Sequence, residues 1–135
     1  MQSSKKILLI LLIIPIVAIL GYYALIFFLG GSALPSFFEI RNNDAETHEV
    51  TVEIFDSQNN SIFKESYNLS PNEAVSEKKP FGLLYSIEMK EYAFKITLDN
   101  GVAKENTLVS LHRWSTADIT IGESEEPITI MIITV

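Results

Sequence analysis

The chain has 135 residues, 17 acidic against 10 basic side chains, a formal charge of −7 and no cysteine. Lys5 and Lys6 precede a long apolar run, so the sequence after that run carries −9. Such a surface repels phosphate backbones and anionic headgroups, which argues against a nucleic-acid partner. Without cysteine there is no disulfide, thiolate metal site, cysteine nucleophile or lipid on an N-terminal cysteine. A small exported domain that forgoes disulfides points to a prokaryotic source.

Residues 1–6 read as a short basic cytoplasmic tail. Ile7 to Leu29 then runs 23 residues without a charge, and a helix of that length rises about 34 Å, enough to cross a bilayer's hydrocarbon. The run is too long for the apolar region of an ordinary signal peptide, which favours an uncleaved signal anchor. Cleavage after Ala33, with Gly31 and Ala33 as the small residues, is the alternative. Lysines at one end alone place the N-terminus in the cytoplasm and the rest of the chain outside. Tyr22 and Tyr23 suit the outer interface, and no ionisable residue in the span supplies an ion path. Ala18, Gly21 and Ala24 form no small-xxx-small pair, so homo-oligomerisation through the helix is left open. This helix supplies most of the positive mean hydropathy of +0.23.

Residues 30–36, GGSALPS, form a flexible linker that Pro35 keeps from continuing the helix. Its shortness keeps the following domain close to the bilayer. About 100 residues remain, enough for one domain with one core over residues 37–135.

From Phe37 the apolar period becomes two. Phe38 and Ile40, then Val50, Val52 and Ile54, alternate with polar residues as half-buried strands do. Asp56 to Ser61 is a turn, Ile62 to Leu69 a returning strand, and Ser70 to Glu73 a further turn. Leu84 to Met89 reads as a short strand. Tyr92, Phe94, Ile96 and Leu98 alternate up to Asn100-Gly101, a hairpin signal, and Val102 to Leu111 returns. Ile119 and Ile121 form a strand closed by Gly122, and Ile128, Ile130 and Ile132 form the last. The expected architecture is therefore an N-terminal transmembrane helix followed by an all-β domain. That domain is an immunoglobulin-like β-sandwich of about seven or eight strands.

A resemblance supports this. The run IRNNDAETHEVTVEIFDSQNNSIFKESYNLSPNEA from Ile40, with YAFKITLDNG from Tyr92 and ADITIGESEEPITI from Ala117, resembles small archaeal surface domains of immunoglobulin-like or transthyretin-like fold. The shared pattern is an I-x-N strand, a V-x-I-x-D strand, an L-x-P-x-E turn and a Y-x-F-x-I-x-L-x-N-G hairpin. The resemblance implies an exported sandwich of unassigned function and brings no catalytic residue. Many such domains are lipoproteins, and this chain departs from them in using a protein helix.

Few residues offer site chemistry. His48 and His112 are 64 residues apart without ligand spacing around either, and read as exposed strand-end histidines. Asp56 to Asn60 lacks the glycine and distal glutamate of a calcium loop and reads as a hairpin turn. Glu123, Glu125 and Glu126 with Asp118 make an acidic end that needs no ion. No nucleophile motif, zinc signature or phosphate loop occurs, so neither an enzyme nor a cofactor is expected. Asn59 and Asn68 stand in glycosylation sequons. Trp114, the single tryptophan, adjoins Arg113; it reads first as core packing or a cap on the sandwich, and alternatively as an exposed interface anchor, a role in which Trp and Arg are frequent. In the last strand Met131 and Ile133 are apolar on the face opposite the isoleucines, so the strand is either central and covered on both sides or borders a contact with a neighbouring membrane or envelope protein. These four residues, Arg113, Trp114, Met131 and Ile133, are the candidate partner contact.

Two function classes follow. One is a single-pass, extracytoplasmic binding or structural module: an accessory subunit of a membrane or envelope complex, with the bilayer engaged through residues 7–29. The other is a pilin-like filament or surface-layer subunit, which also joins an apolar helix to a β-domain. Lys6 running straight into Ile7, without a small cleavage residue and early glutamate, disfavours the second.

Overall fold

Gln2–Leu29 forms one helix, α1, in the computed structural model, which describes residues 2–122 and 125–135. The helix reaches back over the basic residues expected as a separate tail and passes through Pro15 unbroken. Apolar side chains occupy every face and none is buried within the protein. A helix apolar all round needs an apolar surrounding, and this one is long and apolar enough to cross a membrane.

A second compact unit begins at Ala33. It contains β1 (Ser36–Asn42), β2 (His48–Phe55), β3 (Ser61–Leu69), β4 (Ala74–Lys78), a single helical turn α2 (Phe81–Leu84), β5 (Lys90–Leu98), β6 (Gly101–Leu111), β7 (Ser115–Ile121) and β8 (Ile128–Thr134). Two four-stranded sheets result, ordered β4-β1-β7-β8 and β3-β2-β5-β6. All pairs are antiparallel except β1 with β7. The expected helix followed by an all-β sandwich is the observed architecture.

Period-two burial builds the core between the sheets. Phe38 and Ile40 of β1, Ala117, Ile119 and Ile121 of β7 and Ile128 of β8 face one way. Against them lie Val50, Val52 and Ile54 of β2, Phe94 and Ile96 of β5, and Val109 and Leu111 of β6. A bulge between Ser36 and Phe38 interrupts the alternation, so adjacent Phe37 and Phe38 both point inward. Phe37 meets Tyr92 edge-on at 5.3 Å, and Phe38 meets Phe63 at the same distance.

Three local expectations change. Leu84 to Met89 is no strand: here the chain crosses from one sheet to the other, and a crossing segment has no neighbour to pair with. Pro80 opens α2 instead, and Leu83 is its buried residue. β4 carries no period-two signal, because AVSEK holds one large apolar residue and lies on a sheet edge. The β5–β6 turn sits one residue early. Asp99 and Asn100 have φ of 48° and 65°, Leu98 pairs with Gly101, and Gly101 begins the strand. Two left-handed residues in a two-residue hairpin make the turn whose twist suits the strands.

The strand directions define two ends. Residues 33–36, the β2–β3 turn, residues 78–90 and the β6–β7 turn share the end where α1 is attached through the chain. The loops after β1, β3, β5 and β7 share the other.

Candidate functional site

At the far end three loops are tied by polar side chains around the buried Asn42. Asn42 continues the inward phase of Phe38 and Ile40, and its side chain is wholly buried. Its amide donates to Leu69 O at 3.0 Å and Glu46 O at 2.8 Å, and its Oδ1 accepts from Asp44 N at 3.0 Å. Beside it His48 is held at both ring nitrogens. Nδ1 lies 2.5 Å from Asp99 Oδ2 and Nε2 lies 2.8 Å from Asp44 Oδ2. Asp99 also accepts from Glu49 N at 2.9 Å, which fixes the β5–β6 turn against β2. Gly122, at φ +75°, packs so closely that a Cβ there would come within 3.0 Å of Asp44.

This network titrates. The hydrogen bond to Asp99, then that to Asp44, raises the His48 pKa; the bond to His48 lowers both carboxyls. The histidine term is therefore complete below 6.5 and lost as pH rises through its raised value. The aspartate terms are present above 3.8 and lost as pH falls through their lowered values. Stability from the network is greatest between about pH 4 and 6.5. We expect His48→Gln to lose about 1 kcal/mol near pH 5 and less at pH 9. Thermal unfolding across pH checks it; an equal loss at both values refutes the linkage.

Chemically the network is structural. Both His48 nitrogens are engaged, and His112 lies in the β6–β7 turn at the opposite end, so the two histidines share no site. His48 is half-buried, not exposed as its sequence context suggests. Among the described residues no three histidine or carboxylate groups are placed to hold a metal. Asp56 accepts from Gln58 N, Asn60 N and the Asn60 amide, which closes a hairpin turn with Asn59 at φ 64°. A groove of about 620 Å³ beside that turn is lined by Asp56, Gln58, Ile62, Met89, Lys90 and Tyr92. Of the two carboxylates that line it, Asp56 and Glu91, that of Asp56 is already engaged by the turn. Of the acidic end, Glu125 and Glu126 are exposed, Lys104 pairs with Glu126, and Glu123 lies outside the described residues.

The attached end is built around Lys79. This side chain is buried, and its Nζ donates to His112 O, Arg113 O and Ser115 O at 3.0, 3.1 and 2.7 Å. Burial first, and the neighbouring Arg113 second, bring its pKa down to about 8. Leu34 N donates to Arg113 O, Lys79 N to Pro35 O, and Arg113 N to Ser86 O. The first residues of the domain, the α2 crossing and the β6–β7 turn thus form one hydrogen-bonded cap. Nothing in the Lys78-Lys79-Pro80 spacing signals a buried ammonium; only the fold brings the three carbonyls together.

The sequence-selected residues fall in three places. Arg113 is buried in the β6–β7 turn, its guanidinium 5.2 Å from the centre of the half-buried Trp114 ring. Val135 N donates to Trp114 O, which joins that turn to the end of β8. Met131 and Ile133 are 50% and 47% exposed on the outer face of β8. β8 is an edge strand, so the cover expected on both sides is lacking on its outer face. Asn59 is exposed at the tip of the β2–β3 turn, and Asn68 is exposed on edge strand β3.

The four sheet edges differ. β3 carries Lys64 and Glu65, β4 carries Glu77 and Lys78, and β6 carries Lys104 and Glu105 with two register shifts against β5. Charges and bulges of this kind stop edges from pairing with other chains. β8, sequence ITIMIIT, has neither: it pairs with β7 in unbroken register and becomes exposed from Met131 onward. No family model matches this chain, and no match to it is found among curated proteins.

Proposed function

We propose that the protein is a single-pass membrane-anchored binding module, an accessory subunit whose β8 edge receives an extended segment of a neighbouring envelope protein. One observation carries this reading: β8 alone among the four edges is apolar on both faces, uncharged and unbulged. An added strand gains main-chain hydrogen bonds, and pockets for alternate side chains provide selectivity. Met131 and Ile133 supply one apolar face and Ile132 the other. Arg113 and Trp114 stand where β8 ends, through the Val135–Trp114 hydrogen bond.

The anchor reading takes α1 as retained, with Lys5 and Lys6 cytoplasmic and residues 37–135 outside. The immunoglobulin-like class and archaeal source belong to the same proposal, supported by the sequence pattern and the two-sheet topology.

Protease added to intact cells should degrade residues 37–135, and a photo-crosslinker at position 135, exposed just beyond β8, should join one stoichiometric partner. Met131→Lys with Ile133→Lys should abolish that crosslink without lowering the unfolding temperature, because both side chains already face solvent. A protected domain reverses the orientation. A crosslink indifferent to both lysines refutes the β8 contact, and a ladder of this chain alone favours the filament subunit.

A further inference from the structure

The attached end of the sandwich differs from every other surface in its aromatics. Residues 37–135 contain ten aromatic side chains, and only Phe81 and Tyr85 are exposed, at 78% and 55%. Their rings pack 4.8 Å apart on the α2 crossing. Leu83 between them is buried and anchors the segment, so the pair is held outward by a fixed turn.

Charge is distributed the same way. Lys78 and Lys90 are exposed at this end beside Asp56, Glu77, Glu88 and Glu91, with Lys79 and Arg113 buried beneath them. Asp44, Glu46, Glu49, Glu73, Asp99, Glu125 and Glu126 lie at the other. Seven carboxylates of the −9 domain are thus gathered at the end away from the attachment, and the repulsion from anionic headgroups expected of the domain is weakest at the attached end.

The tether decides what this end meets. Gly30 N still bonds to Ile26 O in α1, and Leu34 N already bonds to Arg113 O in the domain. At about 3.5 Å per residue, Leu29 and Leu34 are joined by no more than roughly 18 Å of chain. Leu34 and Pro35 are hydrogen-bonded into the same cap as Lys79, Ser86 and Arg113. A membrane-embedded α1 therefore confines this cap to the neighbourhood of the bilayer surface.

We propose that the α2 crossing is a membrane-contact surface, with Phe81 and Tyr85 seated at the boundary between headgroups and acyl chains and Lys78 and Lys90 at headgroup phosphates. Amphipathic aromatic rings favour that depth, and basic side chains flanking them meet the anionic surface. The acidic end and the β5–β6 turn, at the opposite end of the sandwich, would then face away from the lipid. The inference rests on the anchor reading and adds the orientation that the linker alone leaves free.

The chain has no cysteine, so a single spin label can be placed without altering others. Gly82→Cys suits this: the site is exposed between Phe81 and Leu83, and an added Cβ meets only Lys90 Nζ at 3.9 Å. Ser70→Cys, exposed in the β3–β4 turn, is the distal control. Each labelled full-length chain is reconstituted in phosphatidylcholine–phosphatidylglycerol vesicles, and collisions with oxygen and an aqueous nickel chelate are compared. The label at position 82 should be shielded from nickel and accessible to oxygen, while that at position 70 shows the reverse. Adding Phe81→Ser and Tyr85→Ser should abolish the shielding at position 82. Equal nickel access at both positions, in a chain that stays with vesicles through an alkaline wash, overturns the proposal. So does shielding that survives the double serine substitution. Loss of the chain in the wash overturns the anchor reading itself.

Discussion

Asn42→Ala should lower the unfolding free energy of the β-domain by about 3 kcal/mol, since burial of each orphaned polar group costs about 1–3 kcal/mol. The substitution removes two donated bonds, to Leu69 O and Glu46 O, and one accepted bond, from Asp44 N. The Asn42 side chain itself is closed to solvent, and its bond to Leu69 O is buried. For a domain of about 100 residues this corresponds to a fall of roughly 15 °C in the unfolding temperature. The effect also spreads, because Asp44 holds His48 and faces Gly122. Asn42→Asp separates hydrogen bonding from packing. It keeps the volume but turns lone pairs towards two carbonyls, so it should cost more than alanine at neutral pH and less once protonated. Thermal unfolding of the full chain in nanodiscs, followed by β-sheet circular dichroism, measures both. If aspartate is tolerated as well as alanine at neutral pH, the amide is not the knot it appears from its bonds to be.

Much of this architecture can be read before any coordinates. Ile7 to Leu29 states its helix by length and lack of charge, and the alternation in Val50–Ile54 and Tyr92–Leu98 states which faces meet. Even Asn42 is signalled, since Phe38, Ile40 and Asn42 share a phase and the third must therefore be inside. What stays hidden depends on contacts distant in sequence. Asp99 reaches His48 across 51 positions, and Lys79 reaches the carbonyls of residues 112–115 across more than 30. Neither histidine nor lysine has a neighbour in sequence that announces the partner. β8 divides the two cases: its apolar faces are plain in ITIMIIT, yet only pairing order shows that it stands at an edge. Phe81 and Tyr85 are similar, since an F-x-x-x-Y spacing says nothing of exposure until α2 is seen to cross between sheets.

Lys79→Met should destabilise the domain by about 2 kcal/mol at neutral pH and, more tellingly, change the shape of its pH profile. In the native protein the ammonium spends its three donors on His112 O, Arg113 O and Ser115 O. Methionine fills the same volume and leaves those carbonyls without a donor, but it also removes a charge from a buried site beside Arg113. The two effects oppose each other, which limits the cost. The sign of the pH term follows from the lowered pKa. Between about 8 and 10.5 the unfolded chain binds the Lys79 proton while the folded chain has released it. Stability therefore rises with pH across that window, as it does wherever the unfolded state holds more protons. Above pH 10 the half-buried Tyr67 and the buried Tyr92 act in the opposite sense, because desolvation raises their pKa and the unfolded state ionises first. The native chain should accordingly gain stability relative to Lys79→Met between pH 8 and 10, since the fall from His48 above 6.5 and that from the tyrosines above 10 are common to both. Denaturant unfolding of both proteins at pH 7, 8, 9 and 10 resolves the difference. Parallel profiles would mean that the Lys79 ammonium keeps an ordinary proton affinity, and that the cap around Leu34, Ser86 and Arg113 is held without a buried charge at its centre.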